Sequence, residues 1–208
     1  MAALSPDTIL LTGRVAVVAG AARGAGPAIV ETFAAFGAHV AACDRDKPRG
    51  ELAMTVGDQV AVEVFAQAVR ERWGRVDVLV VNQDVAGASG EGFEDVSPRD
   101  ERLLVERQFT QVTGMIRTML PLMRPGASIV TVVPPETVAP VRAAMRAALE
   151  SLTRTLAADL APRGIRVNAI TPRTHDESLC GAAVFLAGDL AGDVTGTTVR
   201  VDARPASP

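Results

Sequence analysis

"RVAVVAGAARGAG" (residues 14–26) is a β-branched run that ends in glycine and passes at once into a loop holding Gly20, Gly24 and Gly26. A short run that is apolar on both faces reads as a buried strand. From about Gly24 to Phe36 the period changes, and Ile29, Val30, Phe33 and Phe36 fall on one side of a helix. Glycine permits the tight turn between the two and lets the backbone come close to a pyrophosphate at the positive helix N-terminus. Tight strand-to-helix turns use glycine anyway, so the placement of the loop matters more than its composition.

Outward from this unit the alternation repeats. "HVAAC" (39–43) is a second strand, a short third one lies near Thr55 and Val56, and Gln59 to Trp73 is helical. "VDVLVVN" (76–82) is the fourth strand. Ser97, with Pro98 and Asp100, caps a long helix running to about Met123. Then come "ASIVTVV" (127–133), a helix over 140–160 opened by Pro140 and closed at Gly164, "IRVNAI" (165–170), a helix around 177–187, and "TTVRVD" (197–202). Doubly apolar strands alternating with helices predict a Rossmann-type, doubly wound parallel sheet in an α/β fold. The chain reads as a single domain over 1–208, with 1–11 and 203–208 as loose termini. One connection departs from the pattern. Arg45 to Met54, with Pro48 and Gly50, is too short for a full crossover, so its helix is expected to shrink to a turn or vanish.

With 208 residues, 48% apolar and 22% charged, the chain can bury one substantial core. A net charge of −3 gives no electrostatic footprint for nucleic acid or an anionic membrane. No apolar run has the length of a membrane span, and the start lacks a basic, cleavable leader, which makes the cytoplasm the expected compartment. Cys43 and Cys180 read as buried free thiols, and Met145 as core. His39 and His175 are the only histidines, so no metal site is expected. Trp73 reads as packed at a helix end. Tyrosine is absent.

The loop gains meaning from Asp44, which ends the second strand 24 residues after Gly20. A carboxylate there accepts both hydroxyls of an adenosine ribose and repels a 2′-phosphate, so NAD is the expected cofactor if one binds. Gly20, Arg23, Gly24, Gly26, Asp44 and Asn82 are the candidate cofactor residues. Arg45, beside Asp44, tempers the preference, since an arginine can cover a phosphate.

The order of "AGAARGAG", Asp44, "GRVDVLVVN", "MLPLM", "LTRTLAADLAPRGIRVNAITP" and "FLAGDLAGDVTGTTVRVD" resembles the short-chain dehydrogenase/reductase family over about residues 12–202. That resemblance implies hydride transfer with a Tyr acid/base, a Lys four residues on, a Ser that polarises the substrate and an Asn in a proton relay. Alignment on "ALESLTRTLA" puts Arg146 at the Lys position and Arg142 at the Tyr position. Pro134 takes the Ser position and Gln108 the Asn position. Arginine stays charged and does not donate a proton at neutral pH, and proline has no hydroxyl. Asp84 replaces a glycine of the family, Arg173 follows Pro172 where the family has Pro-Gly, and the substrate-covering segment after it is shortened.

Three readings follow. The first is a catalytically inactive subunit that assembles with an active family member and stabilises or positions it. The resemblance implies homo- or hetero-dimers or tetramers through helices 98–124 and 140–161. In the second helix Ala144, Ala147, Ala148 and Ser151 form a face of small side chains, and the first adds Phe109, Val112, Ile116, Met119 and Leu120. The second reading is a module that binds NAD without turnover. The third is an enzyme of changed mechanism, in which Asp84, Glu136, Arg142 and Arg146 surround the vacated site. There the two arginines either take an anion between them or pair with Glu136 and Glu150.

Overall fold

The computed structural model describes residues 6–82, 92–135, 137–172 and 179–201. Seven strands form one sheet: β1 (Val15–Ala19), β2 (His39–Asp44), β3 (Leu52–Thr55), β4 (Val76–Asn82), β5 (Met123–Val132), β6 (Arg166–Pro172) and β7 (Thr198–Val201). Their order is β3-β2-β1-β4-β5-β6-β7, every pairing is parallel, and chain order reverses between β1 and β4. Among the described residues no helix is long and apolar enough to cross a membrane.

The strands are apolar on both faces because both faces are covered. Val15, Val17 and Ala19 of β1 join a core with α2 (Gln59–Trp73), α4 (Gln111–Met119) and α5 (Pro140–Leu160). Ala16 and Val18 point the other way, into a second core with α1 (Gly26–Ala35) and α6 (Leu179–Ala187). Alternation along a single strand therefore feeds two cores.

Helix ends follow their sequence signals. Asp58 caps α2 by accepting from the Ala61 amide at 2.8 Å, and Gly74 closes it at φ 70°. Ser97 caps α3 (Pro98–Val105), and Pro140 stands at the first position of α5. The expected long helix from Ser97 to about Met123 is present as one continuous helical run whose pitch changes along its length. It comprises α3, a π-helical turn over Glu106–Thr110, α4, and a 3₁₀ turn at Leu120–Leu122 that contains Pro121. β5 starts four residues earlier than its apolar run, because Met123 pairs with Val76 before a register shift. Within the stretch 1–11, whose first five residues lie outside the described ones, Pro6–Ile9 is a 3₁₀ turn, and Leu11 is fully buried with its amide on Phe36 O at 2.8 Å. Residues 203–208 and His175 lie outside the described residues.

The β2–β3 connection has lost its helix, as its length required. Residues 45–51 return as a strap across β2, with Gly50 against Ala42. A Cβ at Gly50 would stand 3.0 Å from the Ala42 Cβ and 3.3 Å from Val40 O. Cys43 and Cys180 are buried and in no disulfide, and burial, with Asp44 adding to it, pushes the Cys43 thiol far up. Trp73 packs at the end of α2 under the Arg72 guanidinium, 5.0 Å from its ring.

Two expectations about helix faces need correction. Val112, Ile116 and Met119 are buried in this chain's own core, and Phe109 and Leu120 pack on it, so these five side chains are not a second, uncovered face. On α5 the buried row is Leu149, Thr153, Ala157 and Leu160; Met145 is only half-buried and is not core. The helix is turned so that Ala157 admits Gly196, whose added Cβ would meet the Ala157 Cβ at 3.4 Å.

Candidate functional site

The carboxyl ends of β1 and β4 flank the point where strand order reverses, the place where open parallel sheets leave a crevice. Gly20 leaves β1 at φ 77°, and its amide donates to Cys43 O at 2.9 Å. A Cβ on Gly20 would fall 1.6 Å from Asn82 O, and one on Gly26 would fall 2.1 Å from Gly20 O. Both glycines are therefore fixed by backbone packing. Gly24 differs: φ is 54°, with no heavy atom within 4 Å of an added Cβ. It borders open space.

Asn82, at the end of β4 and 3% exposed, stitches the loop together. Its Nδ2 donates to Gly20 O at 2.7 Å and to Arg23 O at 3.2 Å. Asp44, at the end of β2, accepts from the Ala22 amide at 2.9 Å on one oxygen and from the Asp46 amide at 3.2 Å on the other. Arg23 Nε in turn donates to Asp46 Oδ2. Loop and strap are thus joined at the mouth of a cleft of about 800 Å³.

Gly20, Arg23, Asp44 and Asn82 line that cleft, with Val56 and Asp58 beyond β3 and Glu106, Arg107, Thr110 and Gly114 across from them. Gly24 and Gly26 shape the loop without lining it. The sequence reading missed Asp46 and the far wall. For the wall a signal existed, since Glu106, Thr110 and Gly114 fall four apart on one helix face. For Asp46 there was none, because its position depends on the strap.

The four positions matched to the family's catalytic residues do not line the cleft. Gln108 is buried in the π-helical turn, which packs against α5, and its Oε1 has no hydrogen-bond partner among the described residues. Pro134 is buried just beyond β5, and its carbonyl accepts from Thr171 Oγ1 at 3.3 Å. Arg142 and Arg146 are half-buried on α5. Arg146 donates through Nε and Nη2 to Glu150 Oε1 at 3.0 and 2.9 Å, the second of the two arrangements open to it from the sequence. Asp84, Glu136 and Arg173 lie outside the described residues. Among the described residues no three His, Cys, Asp or Glu side chains could hold a metal ion.

The family profile described as Enoyl-(Acyl carrier protein) reductase matches residues 20–180. D-threitol dehydrogenase of Mycolicibacterium smegmatis is 27% identical, with 92% of this chain and 92% of that protein covered. Oxidoreductase UcpA of Escherichia coli is 32% identical, over 78% of this chain and 69% of its own. A solved short-chain dehydrogenase/reductase from Serratia marcescens superposes with a TM-score of 0.82 at 28% identity, covering 92% of this chain and 97% of that one.

These matches correct the reading of an inactive subunit that serves an active partner. The relatives are named as dehydrogenase and oxidoreductase, and an oxidoreductase is what they favour. The inactive reading rests on four side chains just beyond β5, on α5 and in the π-helical turn, whereas the loop and Asp44 keep a hydrogen-bonded geometry at the cleft. By its sequence profile, its relatives and its seven-stranded parallel sheet, the chain belongs to the short-chain dehydrogenase/reductase family, whose members generally bind NAD(P).

Proposed function

We propose that the chain is an NAD-dependent oxidoreductase acting at a hydroxyl or carbonyl carbon of a small polar molecule. The observation that carries this reading is the cleft formed by the glycine loop, Asp44 and Asn82 at the strand-order reversal. Its residues fit the adenosine half of a nicotinamide dinucleotide. Gly24 leaves open space beside the loop, α1 begins there, and each Asp44 oxygen accepts one amide and retains capacity for a ribose hydroxyl. The name of the D-threitol relative supports a polyol as the substrate class.

A bound nicotinamide supplies the acceptor or donor of hydride. With no tyrosine in the chain, the hydroxyl proton of an alcohol substrate leaves to water. Calorimetric titration with NAD and NADP, together with the absorbance of reduced nicotinamide during incubation with D-threitol and related polyols, tests this. NAD is expected to bind more tightly than NADP, with slow formation of reduced nicotinamide. No dinucleotide binding and no reduced nicotinamide with any polyol would overturn it.

We infer also that the chain associates with copies of itself. Ala144, Ala147 and Ser151 of α5 are exposed in the single chain and offer a close approach to a second helix.

A further inference from the structure

Asp44 does not stand alone at the ribose end of the cleft. Arg23 comes from the glycine loop, whose only charged side chain it is, and Arg45 and Asp46 come from the start of the strap; all line the same cleft as Asp44. The four are not arranged symmetrically. The Asp46 amide rests on Asp44 Oδ1, the Ala22 amide rests on Asp44 Oδ2, and the Arg23 guanidinium reaches across to the Asp46 carboxylate. Asp44 thus anchors two backbone segments, and Asp46 and Arg23 close the ring between them.

We propose that Asp46 is a specificity-determining residue, which by holding Arg23 withholds from the ribose end of the cleft the cation that would receive a 2′-phosphate. This rests on the reading that the cleft takes a nicotinamide dinucleotide. A 2′-hydroxyl donates to Asp44 and needs no cation. A 2′-phosphate brings about two negative charges and needs guanidinium donors. With Asp46 in place, the two acids and two arginines there sum to zero, and the loop arginine is occupied. Without the Asp46 charge the same site is cationic beside the ribose. The pair is open to solvent, with Arg23 56% and Asp46 48% exposed, so it is weak enough to be exchanged. The preference it sets is accordingly graded.

The test uses the purified full chain and its Asp46→Asn, Arg23→Ala and double variants, each titrated calorimetrically with NAD and with NADP. Asp46→Asn should tighten NADP by about fivefold, the scale of one solvent-exposed charge pair, and leave NAD within about twofold. In the double variant the NADP-to-NAD ratio should return to that of the unmodified chain. A thermal midpoint for Asp46→Asn close to that of the unmodified chain confirms that the strap remains folded. An unchanged ratio in Asp46→Asn, or a gain that survives loss of Arg23, would overturn the role of Asp46 while leaving the cofactor reading intact. Failure of the unmodified chain and all variants to bind either dinucleotide would overturn both.

Discussion

At the scale of single residues, the glycine loop separates two uses of glycine that look alike in sequence. Gly20 is held by sterics, since a methyl group there would sit 1.6 Å from Asn82 O at a left-handed φ of 77°. Gly24 is left-handed too, but any side chain there would enter open space. Gly20→Ala should therefore cost at least about 3 kcal/mol in urea unfolding, because the loop, Asn82 and the end of β4 all have to move. Gly24→Ala should cost only about 1 kcal/mol, its backbone strain, yet weaken NAD binding because the methyl group stands where a pyrophosphate would approach. Equal losses of stability would mean that the loop is looser than this packing. Gly20, Asp44 and Asn82 were legible in the sequence because each sits at a fixed place relative to a strand end. The grip of Asp46 on Arg23 was not, because it joins two loops whose separation no periodicity encodes. Gln108 was found only through the family resemblance. What the sequence could not tell is that its amide oxygen is buried without a partner among the described residues.

Among elements, those with one strong signal came out as read, and those set by neighbours did not. α2 runs over Gln59–Trp73 and β4 over Val76–Asn82, their expected bounds, since Asp58, Gly74 and the apolar run of β4 are local instructions. The π-helical turn at Glu106–Thr110 and the early start of β5 have no such mark; they arise where this stretch must meet both α5 and the edge of β4. The loss of the β2–β3 helix was legible from length alone. What secures the strap's far end was not: Glu51 accepts from Arg72 Nη2 at 2.7 Å and lies 3.0 Å from His39 Nδ1, tying β2, β3 and the end of α2. The Arg72 hydrogen bond first, and then that of His39, hold the Glu51 carboxyl below its usual value. The folded chain therefore binds this proton more weakly than the unfolded chain does. The resulting stability is complete above the ordinary glutamate range of about 4.3 and is lost as pH falls through the lowered value. Exposure limits it to less than about 1 kcal/mol. Urea unfolding of Glu51→Gln should show a small loss near neutrality that shrinks to nothing in acid; a loss that persists in acid would mean that the carboxylate charge is not what matters.

For the whole molecule, the self-association proposed above would turn on one face of α5. Ala147 is exposed in the single chain, so Ala147→Glu should leave the monomer's own packing untouched. Light scattering is expected to find a dimer or tetramer for the unmodified chain and a monomer for Ala147→Glu. A monomer for both would show that water covers the small-residue face. The strap has a wider consequence. Where a helix would have sealed the outer sheet on the α1 side, Ala53 and Thr55 of β3 remain exposed and Leu52 and Met54 are only half-buried. The free energy of opening must then vary across the sheet, lowest at the β3 rim and highest at β1 and β4, with both cores against them. Since the Val56 amide hangs on Asp44 O at 2.7 Å, a ligand held by Asp44 grips the rim as well. Amide exchange at β3 would then report occupancy of the cleft, making the least protected strand the one that registers whether the site is filled.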